Sequence, residues 1–265
     1  MKKSHNITKA VILAGGLGTR LAEETIVKPK PMVEIGGKPI LWHIIKLYSF
    51  YGINEFFICC GYKQNYIKQY FHKYFLHVTK NTYNLSSKSK KFKNDGIKNC
   101  TVHLINTGNK TMTGGRLKKV YKYVKNEKAF CFTYGDGLSN ININKLILFH
   151  LKHNKLATLT AIVPPIKYGV IKLGMKNFVK KFQEKPEIVG SWINGGFFVL
   201  DPKVIGYIKN NQTVWEEQPL KKLVKKKQLL AYKHKKFWMP MDTLRDKIAL
   251  NKLWNRKNAP WKIWK

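Results

Sequence analysis

The chain reads as an α/β protein built on a doubly wound sheet, and three observations carry that reading. Residues 10–13 form a continuous, not alternating, apolar run, the pattern of a strand covered on both faces, and further strand-like stretches follow at 55–60, 101–106 and 129–134. Stretches with helix start and stop signals separate them, so strand and helix alternate along the first half. The first run ends directly in Gly15-Gly16-Leu17-Gly18, at the carboxyl edge where open α/β sheets hold ligands.

Each element has a local reason. Residues 10–13 are apolar throughout, as a strand buried on both sides requires. Val27-Lys28-Pro29-Lys30-Pro31-Met32 cannot be helix interior, because its prolines lack donors and hold the preceding residues extended. It places Lys28 and Lys30 on a loop returning to the same sheet edge. Gly36-Gly37-Lys38-Pro39 turns the chain; Pro39 suits the first turn of a helix through Tyr51, and Gly52 stops it. A second strand covers 55–60 and a helix about 65–74. Periodicity is lost over 75–99, where Lys88-Ser89-Lys90-Lys91-Phe92-Lys93 lies among Ser, Asn and Gly, and an exposed basic excursion is expected there. Strand 101–106 follows, Met112 to Leu117 opens a helix, and strand 129–134 ends in Gly135-Asp136-Gly137. The second half changes character: a strand at 156–163, a hairpin from 168–173 and 178–182, a strand at 195–200, and helices over 204–209, 215–226 and 243–254. With no Pro-, Ser- or Gly-rich linker and no repeat, one domain is expected over 1–265, with halves of about 9–140 and 141–265.

Composition sets limits. The 265 residues are 44% hydrophobic, which is ordinary for a globular protein. No apolar run approaches the roughly 20 residues needed to cross a bilayer. Residues 1–6 are basic but lead into a strand without a small-residue cleavage site, and Cys59, Cys60, Cys100 and Cys131 lie in apolar runs without a C-x-x-C pair. A cytoplasmic protein with reduced core thiols is expected, with no membrane partner. The formal net charge of +36 would by itself point to nucleic acid. However, only Arg20, Arg116, Arg245 and Arg256 are arginine, and the lysines are spread along the chain beside abundant Asn. An AT-rich coding bias accounts for that pattern, and no specific nucleic-acid partner is expected.

The residues that carry chemistry begin at the glycine loop. Its glycines let backbone N–H groups converge on a ligand, while Thr19 and Arg20 add a hydroxyl and a planar fork suited to phosphate oxygens. No Lys follows Gly18, which excludes a P-loop, and Leu21 stands where a dinucleotide fingerprint needs its third glycine. Taken alone, the cluster equally fits a tight strand-to-helix turn. Lys28 and Lys30 are either solvated or in phosphate contact. Gly114, Gly115 and Arg116 open a helix, a favourable place for an anion. Asp136, after a strand and between glycines, suits a divalent cation; with only 14 acidic residues in the chain its position stands out. Asp242 is the candidate second carboxylate, although taken alone it fits a helix N-cap better. Phe182-Gln183-Glu184-Lys185-Pro186 with Asn194-Gly195-Gly196 forms a second polar set, suited to a sugar phosphate or simply a solvated Glu–Lys turn. His150 and His153 lack a third metal ligand and are expected at the surface. Trp261 and Trp264 are expected to staple the tail to the body or to a neighbouring subunit.

Leu13 to Leu21 with Lys28-Pro29-Lys30-Pro31-Met32 resembles the sugar-1-phosphate nucleotidylyltransferases. Val33 to His43, Met112 to Arg116, Thr133 to Asp136, Trp192 to Phe198 and Trp238 to Arg245 narrow the resemblance to the branch that makes CDP-glucose, and it spans about 9–264. It implies a Rossmann-like, three-layer α/β/α fold with a mixed, mostly parallel central sheet, a nucleotide-binding first half and a sugar-phosphate-binding second half. The implied reaction joins CTP and α-D-glucose 1-phosphate into CDP-glucose and diphosphate with Mg²⁺; a sibling using UTP or dTTP is the near alternative. Carried over motif by motif, Leu13, Ala14, Gly15, Gly16, Leu17, Gly18, Thr19, Arg20, Lys30, Thr111, Arg116 and Gly135 belong to the nucleotide site. Arg20, Lys30 and Asp136 are implied to be catalytic, Asp136 and Asp242 to hold Mg²⁺, and Glu184, Lys185 and Asn194 to hold the sugar phosphate. A homo-oligomer and a role in dideoxysugar and O-antigen (lipopolysaccharide) synthesis are also implied.

Overall fold

A computed structural model describes residues 5–74, 77–79, 82–85, 100–164, 170–175, 178–183 and 191–264. Its strands are β1 Lys9–Ala14, β2 Glu34–Ile35, β3 Lys38–Pro39, β4 Glu55–Cys60, β5 His77–Thr79, β6 Thr82–Leu85, β7 Cys100–Asn106, β8 Phe130–Tyr134, β9 Gly137–Ser139, β10 Ala157–Ile162, β11 Val170–Leu173, β12 Val179–Gln183, β13 Ile193–Leu200, β14 Leu229–His234 and β15 Trp238–Pro240. Its helices are α1 Ala22–Thr25, α2 Ile40–Phe50, α3 Gln64–Tyr74, α4 Thr113–Lys119, α5 Tyr121–Val124, α6 Ile143–His153, α7 Gln218–Lys225 and α8 Leu244–Asn255.

The main sheet has the order β14-β10-β13-β8-β1-β4-β7-β6-β5. β8, β1, β4 and β7 are mutually parallel, and β10 pairs parallel with β14. β13 runs antiparallel between β10 and β8, and β6 antiparallel to β7, which makes the sheet mixed. Strands from both halves of the chain share it. This is the mixed, mostly parallel arrangement expected.

Two hydrophobic clusters fill the two faces. Along β1, Ala10, Ile12 and Ala14 enter one cluster, while Val11 and Leu13 enter the other, so all five positions after Lys9 must be apolar. The first cluster includes Ile44 and Leu47 of α2, Ile67 of α3, Leu146 of α6 and Leu250 of α8. Leu117 of α4, Val124 of α5, Leu223 of α7 and Trp215 fill the second. Helix, sheet and helix form three layers. Each fully buried side chain, such as Ile12 or Phe132, adds about 1.5–3 kcal/mol of hydrophobic stabilisation. All four cysteines are buried thiols; desolvation pushes the Cys60 thiol up to about 12 and those of Cys59 and Cys131 further.

Three expectations change. The stretch 75–99, expected as a patternless excursion, contributes β5 and β6, a hairpin added to the edge of β7; its other residues lie outside those described. His150, expected at the surface, is buried, because His150 Nδ1 (2.9 Å) and His153 Nε2 (2.6 Å) both meet the buried Thr158 hydroxyl. Burial holds His150 at about 4, below its ordinary value. Finally, β14 is a strand that the sequence reading does not include. The tail does staple to the body: Trp261 is buried, its Nε1 donates to His43 Nδ1 at 3.2 Å, and it stacks on Trp254 and Phe237. No described helix is long and apolar enough to cross a membrane.

Candidate active site

The candidate site lies at the carboxyl edge where β1 and β8 end side by side. β1 runs out through Leu13 and Ala14 into the glycine loop, whose buried start gives way to exposed Gly16, Leu17, Thr19 and Arg20. Gly18 adopts φ +70°, a left-handed conformation open to glycine, and there it starts the single turn Thr19–Leu21. A Cβ on Gly15 would sit 2.1 Å from the Arg116 guanidinium, so only glycine lets that side chain pass behind the loop. Arg116 is 4% exposed and donates to the carbonyls of Gly15 (2.8 Å), Gly108 (2.9 Å), Cys60 (3.3 Å) and Asn109 (3.4 Å) and to the Thr107 hydroxyl (2.6 Å). The helix start expected to receive an anion therefore carries an arginine whose donors hold the loop from behind. Thr111 is buried beside it, with its hydroxyl 3.4 Å from Lys119 Nζ.

Three further stretches bring charge to the front. Pro29 is extended and Lys30–Met32 forms one 3-10 turn, which turns Lys30 inward. Lys30 Nζ donates to Asp136 Oδ2 at 2.8 Å and to Asp242 Oδ1 at 2.6 Å. Arg20 donates to Asp242 Oδ2 at 2.8 Å while its side chain stays 72% exposed. The two aspartates meet because β9 and β15 pair antiparallel and the Met241 N–H donates to the Asp136 carbonyl at 2.8 Å. Gly135 is buried, and a Cβ there would lie 2.6 Å from the Leu13 carbonyl, which keeps β8 close to β1. Asp242 is not the cap of α8: Thr243 accepts from the Asp246 N–H, and Asp246 bonds back to the Thr243 N–H, a complete capping box. Its carboxylate is left to the site. Lys28 lies elsewhere, 3.7 Å from Glu34 and 4.0 Å from Glu24.

Asn194, at the start of β13, donates from Nδ2 to the Tyr134 hydroxyl at 3.3 Å. Glu184 and Lys185 lie outside the described residues. Tyr134 donates in turn to Glu216, which also accepts from the Thr113 hydroxyl at 2.6 Å. Burial and the Glu216 carboxylate push the Tyr134 phenol far above its usual value, so it keeps its proton. Neither Tyr134 nor Glu216 is anticipated from sequence; the available signals are the tyrosine directly before Gly135-Asp136 and the scarcity of acids.

The arrangement offers backbone donors, a guanidinium and an ammonium at one sheet edge, with two carboxylates converging on a single cation. Such a set can bind and neutralise a polyphosphate. A nucleotidyl transferase family model matches residues 9–252. The chain is 55% identical over 256 residues to the glucose-1-phosphate cytidylyltransferases of Salmonella typhi and Salmonella typhimurium, covering 97% of this chain and 99% of theirs. In fold it is similar to a UDP-glucose pyrophosphorylase solved with UDP-glucose, with a TM-score of 0.70 at 18% identity over 95% of this chain and 100% of that one. A match across nearly the whole chain, together with these relatives, makes it a member of the nucleotidyl transferase family.

Proposed function

We propose that the protein transfers a cytidylyl group from CTP to α-D-glucose 1-phosphate, releasing CDP-glucose and diphosphate. The observation that carries the phosphate chemistry is the meeting of Arg20, Lys30, Asp136 and Asp242 in front of the glycine loop. Likeness to the two Salmonella enzymes over almost their full length supports the choice of base and sugar.

In the reaction a phosphate oxygen of the sugar phosphate forms a bond to the α-phosphorus of CTP. The bond from that phosphorus to the β-phosphate bridge breaks, and diphosphate leaves with the electron pair. The transfer is direct, with no cytidylylated residue as an intermediate, so the chain contributes position and charge. The N–H groups from Gly15 to Thr19 face the phosphates, Arg20 and Lys30 offset charge on the transferring group, and Asn194 meets the acceptor together with Glu184 and Lys185.

The residues fit a divalent cation. Oxygens of Asp136 and Asp242 lie 2.8 and 2.6 Å from one ammonium, so the pair already converges on a point of positive charge. Two carboxylates suit Mg²⁺, whose shell is completed by phosphate oxygens and water. Asp136 and Asp242 would hold it, and when bound it supplies charge neutralisation on the triphosphate. Self-association is part of the proposal, supported by exposed Met175, Phe178, Val179 and Phe182 on and beside the β11–β12 hairpin. Supply of dideoxysugar synthesis for surface polysaccharide, in the cytoplasm, completes it.

A diphosphate-release assay with glucose 1-phosphate against CTP, UTP, dTTP, ATP and GTP, with and without Mg²⁺, tests the reading. CTP is expected to be preferred and the metal required. Preference for another base overturns the cytidylyl assignment, and tight salt-dependent binding of generic DNA without turnover would favour the reading from charge instead.

A further inference from the structure

We propose that Glu216 is a positioning residue for the sugar-phosphate acceptor, acting through Tyr134 and Asn194; this rests on the reaction proposed above. Glu216 lies in the turn before α7, far in sequence from both partners, yet its carboxylate spans two hydroxyls. Tyr134 Oη donates to Oε1, and Thr113 Oγ1 donates to Oε2 at 2.6 Å. Thr113 Oγ1 accepts in turn from the Trp215 N–H at 2.9 Å, so its own proton is directed to Glu216. Tyr134 closes β8 and directly precedes Gly135 and Asp136, while Asn194 opens β13.

Hydrogen-bond accounting gives the chain of contacts a direction. An ionised carboxylate only accepts, so the single proton of Tyr134 goes to Glu216 and its oxygen is left as an acceptor. Asn194 must then turn Nδ2 toward Tyr134, at 3.3 Å, and its Oδ1 is held on the other side by the Gly196 N–H at 2.9 Å. Both ends of the amide are thereby fixed. Two N–H groups sit on Nδ2 and Tyr134 takes one, so Asn194 presents a donor, not an acceptor, at the mouth of β13. A donor there suits the phosphate and hydroxyl oxygens of a sugar phosphate. The network also ties α4, β8 and β13 together at one edge, so Glu216 governs how the acceptor side stands beside Asp136.

Steady-state kinetics on the full chain, with each substrate varied in turn, test this. Tyr134→Phe removes the hydroxyl and frees the amide; its KM for glucose 1-phosphate is expected to rise about tenfold or more, with the KM for CTP within about twofold. Glu216→Ala should produce the same split, and the double variant should be no worse than Glu216→Ala alone. Glu216→Gln can still accept from Tyr134 through Oε1 and donate to Thr113 through Nε2, so KM should return to within about threefold of the unchanged protein. Should Glu216→Ala fail to fold, Tyr134→Phe and Glu216→Gln carry the test. Equal changes for both substrates, or an unaltered KM in Tyr134→Phe, overturn the inference while leaving the proposed reaction standing. If the unchanged protein uses a different sugar phosphate, the proposed reaction fails and the same split should appear on that substrate. No turnover with any sugar phosphate overturns both.

Discussion

The glycine loop has an open front and a closed back, and an arginine stands on each side. At the front, Arg20 is mostly in solvent and meets a single carboxylate, so most of its donors are available to a ligand. At the back, Arg116 is buried and its donors are spent on four carbonyls and a hydroxyl. The same group can therefore serve recognition or scaffolding, according to how many acceptors the fold has already supplied. Desolvation lowers the Arg116 pKa from its ordinary value, and the dense ring of carbonyls satisfies the charge that burial penalises.

Substitutions can break this contrast. The largest effect is expected at the front, where Asp136→Asn removes one of the two carboxylates and should lower turnover by about a thousandfold or more, with circular dichroism unchanged. Arg116→Ala should come next: it strands buried carbonyls, costs about 2–4 kcal/mol of unfolding free energy and loses activity with it, as chemical denaturation would record. Arg20→Ala should separate the two quantities. We expect about a hundredfold loss of kcat, with a stability change below about 1 kcal/mol because exposed ion pairs contribute little. Comparable destabilisation by both arginine variants would dissolve the distinction between front and back.

A further effect concerns pH. Burial holds His43 and His150 at about 4, below the unfolded value near 6.5. Between those values the unfolded chain binds protons that the folded chain does not, so stability falls as pH drops from about 6.5 to about 4. Each ring contributes on the order of 3 kcal/mol across that window, measurable by urea titration at fixed pH steps. A flat profile would show that the rings stay solvated.

Much of the frame is legible in the chain because burial on both sides leaves little freedom. β4 occupies the expected residues 55–60, since every inward position on either face must be apolar. β14 escapes notice for the opposite reason: it lies at the sheet edge with Lys233 and His234 in it, half-buried, and held by backbone bonds that any residue can make. β9 and β15 are three residues each, too short to show a period. At the site, Arg20, Lys30, Asp136 and Asp242 come from separate stretches and are joined by hydrogen bonds in a chain through Lys30 and Asp242, and each has a local signature of glycine or proline. Glu216 has none. Its role arises only where α4, β8 and β13 converge, and the satisfied donors of Arg116 are likewise a tertiary fact.

Three of the buried thiols, Cys59, Cys60 and Cys131, give the folded protein a built-in clock. Alkylating reagents attack thiolates, and with Cys60 at about 12 and Cys59 and Cys131 higher still, these three offer almost none in the native state at neutral pH. Cys59 and Cys60 lie on β4 and Cys131 on β8, the strands that flank β1. Their labelling must await separation of the sheet, so uptake of a thiol reagent counts global openings of the chain without any introduced probe.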